Sequence, residues 1–281
     1  MTPIGAHVSA KGGVENAPVN AHAEKCETFQ FFVASPYSYE APKITDQQIS
    51  LFRERCAEFG FEQTFVHAAY LVNLASPKNG IRHGSITILR KGLEVCSKLG
   101  VTGMMFHTGS ATGLRDKAEG IAAAIKSLNQ VLDGYTGSTQ LLIENAAGSG
   151  ATLGVTFTEV GKLFNGITTK NRKHAGVCMD TQHAFASGYD WRDKKATTKA
   201  MKEFDEHIGF ENLIVIQAND SKTECGSNRD RHEHIGKGNI GIEGFKNLLG
   251  HAQLKKVPFV LETEIDDRAA DIAQLKKVRS K

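Results

Sequence analysis

The chain has 281 residues, 40% hydrophobic and 23% charged, with a formal net charge of +3 at pH 7. That length suits one α/β barrel with a large core, and so small a charge excludes a uniformly basic coat for nucleic acid while leaving room for a local basic face. The five cysteines (Cys26, Cys56, Cys96, Cys178, Cys225) form no C-x-x-C spacing, which argues against a disulfide framework and for reduced thiols.

In chain order, eight short apolar strands alternate with amphipathic helices. The expected strands are Ile4–Val8, Thr28–Ala34, Thr64–Ala68, Gly103–His107, Gln140–Glu144, Ala175–Asp180, Asn212–Ala218 and Pro258–Glu262. Ile49, Phe52, Cys56 and Phe59 repeat at helical spacing, as do Ile86, Leu89, Leu93 and Cys96, and Ile121, Ile125, Leu128 and Leu132. Gly60, Gly100, Gly134 and Gly166 stand at expected helix ends, where a left-handed residue is cheapest in glycine. Eight β-then-α units with nearly continuous apolar strands predict an α/β fold, a (β/α)8 TIM barrel over residues 1–281. An open doubly wound sheet is the alternative, but no Gly-x-Gly-x-x-Gly follows the first strand. Met1 to Ala10 lacks a signal-peptide layout and no apolar run reaches bilayer length, so an intracellular protein is expected. The lysine-rich end from Lys276 reads as a frayed, solvated terminus.

The chemistry lies in how the strands end. Strands three to eight finish on His67, His107, Glu144, Asp180, Gln217 and Glu262. In a barrel these ends open on one face and converge, and several carboxylates in one basin need cations among them. Nitrogen with oxygen ligands suits zinc or manganese. His183 follows Asp180 by one helical turn before Gly188, although Asp180 in that place also reads as a helix cap. After strand seven, a glycine-rich loop carries Asp230 and His232, with Glu233 and His234 as adjacent alternatives that spacing does not separate.

The segments VHAAYLVNLASP, FHTGS, LLIENAAGSG, VCMDTQHAFASGYD and RDRHEHIGKGNIG occur in this order, preceded by IGAHVSAKGG and followed by VLET. Together they resemble endonuclease IV, the metal-dependent apurinic/apyrimidinic (AP) endonuclease family of base-excision repair, over nearly the whole chain. The resemblance implies a xylose-isomerase-like barrel carrying three metal ions, typically zinc, at its C-terminal face. His67, His107 and Glu144 would hold the first, Glu144, Asp180 and Glu262 the second, and His183, Asp230 and His232 the third. It implies hydrolysis of the phosphodiester 5′ to an abasic site in double-stranded DNA by a metal-bound hydroxide, leaving a 3′-hydroxyl. Glu144 and Glu262 would position that hydroxide, with Glu262 accepting its proton. It further implies a monomer in the cytoplasm or at the nucleoid, with no membrane partner.

Two positions depart from the family pattern. Where the family carries a histidine ligand to the second metal, this chain has Gln217. An amide offers only a neutral oxygen, so the second site is expected to favour a harder ion such as Mn2+ or to be partly empty. Where an arginine commonly reaches into the base stack, this chain has Tyr37, beside Tyr70 and Leu71 in the position of the family's inserted loop. Loop packing is the alternative role for Tyr37 and Tyr39. His7 and Ser9 line the groove at the first strand end. Two further readings stand beside the endonuclease: a metal-dependent sugar isomerase or epimerase of the same barrel superfamily, and a lesion-binding protein whose catalysis Gln217 impairs.

Overall fold

The computed structural model describes residues 1–279. Eight strands close into a parallel barrel: β1 (Ile4–His7), β2 (Phe29–Phe31), β3 (Thr64–His67), β4 (Gly103–His107), β5 (Gln140–Glu144), β6 (Ala175–Asp180), β7 (Leu213–Gln217) and, after a short antiparallel pair formed by β8 (Asp220–Ser221) and β9 (His232–Glu233), β10 (Phe259–Leu261). β10 lies between β7 and β1 and completes the ring. The expected (β/α)8 barrel is therefore the observed fold. β4, β5 and β6 have the bounds expected from sequence. The second and last strands are shorter than expected, and Glu262 lies one residue beyond β10.

Alternation along the strands divides the core in two. Phe65, Met105, Leu142, Cys178, Val215 and Val260 point inward and fill the barrel beneath the mouth. Their neighbours, among them Val66, Met104, Phe106, Leu141, Ile143 and Val177, point outward against the surrounding helices. Each large side chain buried this way stabilises the fold by roughly 1.5–3 kcal/mol. The packed interior closes the barrel as a channel, so a ligand meets the protein at the mouth.

Three predicted helices run Asp46–Glu58, Asn79–Leu99 and Lys117–Leu132. The first starts on a reciprocal cap: Thr45 accepts from the Gln48 N–H and Gln48 accepts from the Thr45 N–H. Gly60, Gly100 and Gly134 adopt the expected left-handed backbone. Gly166 does not: its φ is −73°. Glycine is required there because a Cβ would come within 2.6 Å of the Ile125 side chain.

The chain end also departs from expectation, because Arg268–Arg279 is an ordered helix. Arg268 forms two 2.7 Å hydrogen bonds with Glu24, and Arg279 pairs with Glu27. Both glutamates precede β2, at the end of the barrel away from the strand C-termini. Ser280 and Lys281 lie outside the described residues. Among the described residues no helix is long and apolar enough to cross a membrane.

Candidate metal centre

Parallel closure brings the strand ends together. Glu144 is the hub: His67 Nε2 lies 3.2 Å from its Oε2, while His107 Nε2 at 3.8 Å and His183 Nδ1 at 3.2 Å approach Oε1. Beyond it, Asp230 reaches His183 Nε2 and His232 Nε2, each at 3.2 Å, and His232 Nε2 lies 3.8 Å from Asp180 Oδ2. His67, His107 and Glu144 form one group able to hold a cation, and Asp180, His183 and His232 a second. Both Glu144 oxygens and the Nε2 atoms of His183 and His232 are buried without a hydrogen-bond partner. Buried polar atoms left so cost free energy, and atoms of these types facing one another fit a shared cation.

Backbone carbonyls aim two of the imidazoles. His67 Nδ1 lies 2.7 Å from the Ala68 carbonyl and His183 Nδ1 3.0 Å from the Asn145 carbonyl. A carbonyl only accepts, so each Nδ1 carries a hydrogen, which leaves each Nε2 as the nitrogen that would give its lone pair to a cation in the cluster.

Asp180 takes the capping role expected of it. Its Oδ1 caps the helix Thr181–Ser187 by accepting the His183 N–H at 2.8 Å, and Gly188 ends that helix in a left-handed conformation. Its Oδ2 accepts from Asn219 Nδ2 at 2.7 Å. Asn219 also accepts the Glu262 N–H and donates to Glu262 Oε2, while Gln30 donates to Glu262 Oε1 at 2.6 Å. Asn145 holds the Asp180 peptide from both sides. The sequence reading missed Gln30, Asn145 and Asn219 because neutral amides do not announce themselves as ligands. The signal available was an amide immediately after a strand-end acid, as in Glu144–Asn145. Gln217 is fully buried at the end of β7, hydrogen bonded to Cys178 and Gln30.

Charge within the cluster is strongly redistributed. Burial opposes ionisation of Glu144, yet His107, His183 and His67 hold its carboxyl well below the usual range. Burial also opposes protonation of His67, but Glu144 and Glu262 raise it to about 9. His183 is raised by Asp180, Asp230 and Glu144 against the same penalty. Burial, with the Glu144 and Asp180 charges, pushes Glu262 up. The side chains thus retain protons in places where a cation would otherwise supply the positive charge.

The loop after β7 turns on Asp220, whose carboxylate accepts the backbone N–H groups of Ser221, Gly236, Gly238, Ile240 and Gly241. The two histidines of that loop point different ways. His232 faces Asp230 and Asp180, whereas His234 turns away to Asp271 at 2.8 Å and toward Asp266. Next to His232 and Glu262 a cavity of about 430 Å³ opens, with Lys222, Arg231 and Thr263 in its wall.

The aromatic loops rim the other side. The Tyr70 ring lies 5.3 Å from that of His67 and 5.7 Å from that of Tyr37. Tyr37 is 73% exposed, Tyr70 45% and Leu71 39%. Tyr39 takes the loop-packing role, its hydroxyl donating to the Leu71 carbonyl. His7 faces the cluster 4.0 Å from Glu262 and accepts from Gln30; Ser9 instead accepts the Lys11 N–H, through its hydroxyl, and its carbonyl accepts from Asn20.

Barrel and strand-end cluster together define a xylose isomerase-like TIM barrel, and the family of that description matches residues 19–279. A protein of Campylobacter hominis named "Probable endonuclease 4" is 38% identical over 265 residues, covering 94% of this chain and 93% of its own length. Endonuclease IV from Thermus thermophilus superposes with a TM-score of 0.84 at 30% identity, covering 99% of this chain and 98% of its own. The chain belongs to the endonuclease IV family of AP endonucleases. A D-tagatose 3-epimerase-like protein, at 19% identity and a TM-score of 0.74 with 99% of this chain and 97% of its own covered, shares the fold alone.

Proposed function

We propose that this chain hydrolyses the phosphodiester 5′ to an abasic site in double-stranded DNA, leaving a 3′-hydroxyl, with up to three divalent cations, chiefly zinc, at the barrel mouth. The observation that carries the reading is the convergence of Glu144, His183 and His232 with buried, unpartnered ligand atoms beneath the exposed Tyr37–Tyr70 rim. His67, His107 and Glu144 would hold the first ion, Glu144, Asp180 and Glu262 the second, and His183, Asp230 and His232 the third. When bound, such ions acidify water and neutralise phosphate charge.

The side chains supply the rest. Glu262, raised by burial and by its neighbouring acids, would take a proton from the attacking water. Asn219 fixes the direction of that carboxylate. Tyr70 and Leu71 enter the duplex at the lesion, and Tyr37 stacks beside them without bringing a charge to the phosphates. The aspartate and second histidine of the third group, like the aromatic rim, are more than a small-sugar site requires, which places the isomerase reading behind the endonuclease. The protein acts as a monomer inside the cell. The all-oxygen second group favours Mn2+ or partial filling.

The test is incubation with a labelled duplex holding one abasic-site analogue, with and without added zinc or manganese. Nicking on the 5′ side that requires the metal is expected, and a parallel Gln217→His variant shows whether the amide limits its rate. Retarded mobility without nicking would point to a lesion-binding protein, and neither nicking nor retardation would discard the DNA reading.

A further inference from the structure

Gln217 occupies the position on β7 where a metal ligand is expected, yet its polar atoms are already committed. Between the apolar filling of the barrel and the charged mouth lies a thin layer of amides. Gln30 and Gln217 are both fully buried in it, with Cys178 below and Glu262 above. Gln30 Nε2 donates to Glu262 Oε1 at 2.6 Å and to His7 Nδ1 at 2.8 Å. Gln217 Nε2 donates to Gln30 Oε1 at 3.4 Å, and the Cys178 thiol donates to Gln217 Oε1 at 3.3 Å.

The polarity of this chain is fixed from its upper end. Glu262 Oε1 and His7 Nδ1 both take the NH2 of Gln30, which turns its oxygen down toward Gln217. A buried oxygen there needs a donor, so the NH2 of Gln217 must face Gln30. The Gln217 oxygen is then left to the one donor beneath it, the Cys178 thiol. Each member requires the orientation of the next, and reversing Gln217 would set two oxygens against each other.

We infer that Gln217 is a positioning residue, not a metal ligand: with its oxygen held by Cys178, it orients Gln30, and Gln30 sets the Glu262 carboxylate. The second group of acids would then hold its ion without any contribution from β7. The inference rests on Glu262 working at the metal centre as proposed above.

The test uses the full chain carrying Gln217→Met, Gln30→Met, both together, and Gln217→Glu. Each is read by abasic-duplex nicking and by Co2+ titration followed through visible absorption. The relay predicts that Gln217→Met and Gln30→Met lose kcat alike, about 10- to 100-fold as for an outer partner of a metal ligand, with KM changed less than about twofold. The double variant would be no worse than the weaker single one, since both break one chain, and the two single variants would share one Co2+ spectrum. Gln217→Glu, nearly the same shape but unable to donate to Gln30, would fall as well. A ligand role predicts the opposite. Gln217→Met would alter Co2+ binding while Gln30→Met stayed as wild type, and Gln217→Glu would tighten the metal and keep activity; either result overturns the inference. Should Gln217→Met fail to fold, Gln217→Glu with Gln30→Met makes the same discrimination. Should the wild type not nick, that failure belongs to the proposed function, and the Co2+ spectra still decide the role of Gln217.

Discussion

The two halves of the barrel mouth treat their acids differently. On the β3–β5 side, Glu144 faces three imidazoles and makes no hydrogen bond with either oxygen. On the β6–β10 side, Asp180 and Glu262 are already met by neutral amides, Asn219 for both and Gln30 for Glu262. An unpartnered buried carboxylate demands a cation, whereas one solvated by amides tolerates its absence. On the proposed function, the first half would hold an ion tightly, and the second would hold one while leaving Glu262 able to take a proton.

The largest break in that contrast comes from Glu144→Gln. It would remove the charge that the two proposed metal groups share, so metal content should fall and abasic-site nicking should drop by more than the roughly 100-fold that bounds most outer-partner changes. Metal analysis of the purified variant beside a nicking assay checks both. Asn219→Ala should act on the other half only. Losing its hydrogen bonds to Asp180 and Glu262 should weaken metal at that group about 10- to 100-fold and leave the β3–β5 ion in place, which competition with a graded chelator resolves.

The smallest effect is expected at His234, the histidine turned away from the mouth. Asp271, against a burial penalty, raises its pKa above the ordinary 6.5. A raised imidazole contributes stability fully below pH 6.5 and loses it as pH rises through the raised value. His234→Gln should thus lower Tm most below about pH 6.5, by an amount equivalent to no more than about 1 kcal/mol, with the gap closing as pH rises through the raised value. Metal content should not change. Thermal melts across that range check the sign, and a Tm gap that widens with pH would contradict it.

The sequence shows the barrel and the ionisable half of its mouth for the same reason: apolar strands end abruptly on groups whose charge is costly to bury. β4, β5 and β6 were legible to the residue because their runs are unbroken. The β8–β9 pair was not, since two-residue strands carry no alternation to read. His232 and His234 could not be separated by spacing either. Residues two apart share a face only along an extended strand, and β9 ends at Glu233, so His234 is free to turn toward Asp271. The amides Gln30 and Asn219 were invisible because their role depends on which acid each one faces across the barrel. Gln217 was recognised as a departure, but its partners come from β2 and β6 and appear only once the ring closes.

Anomalous scattering at the zinc edge, from crystals grown with zinc and then treated with limiting chelator, tests the contrast most directly. It should show full zinc at His67, His107 and Glu144, lower occupancy among Glu144, Asp180 and Glu262, and the Gln217 oxygen outside bonding distance. Equal occupancy at both groups, with that oxygen about 2.0–2.2 Å from the second ion, would contradict it.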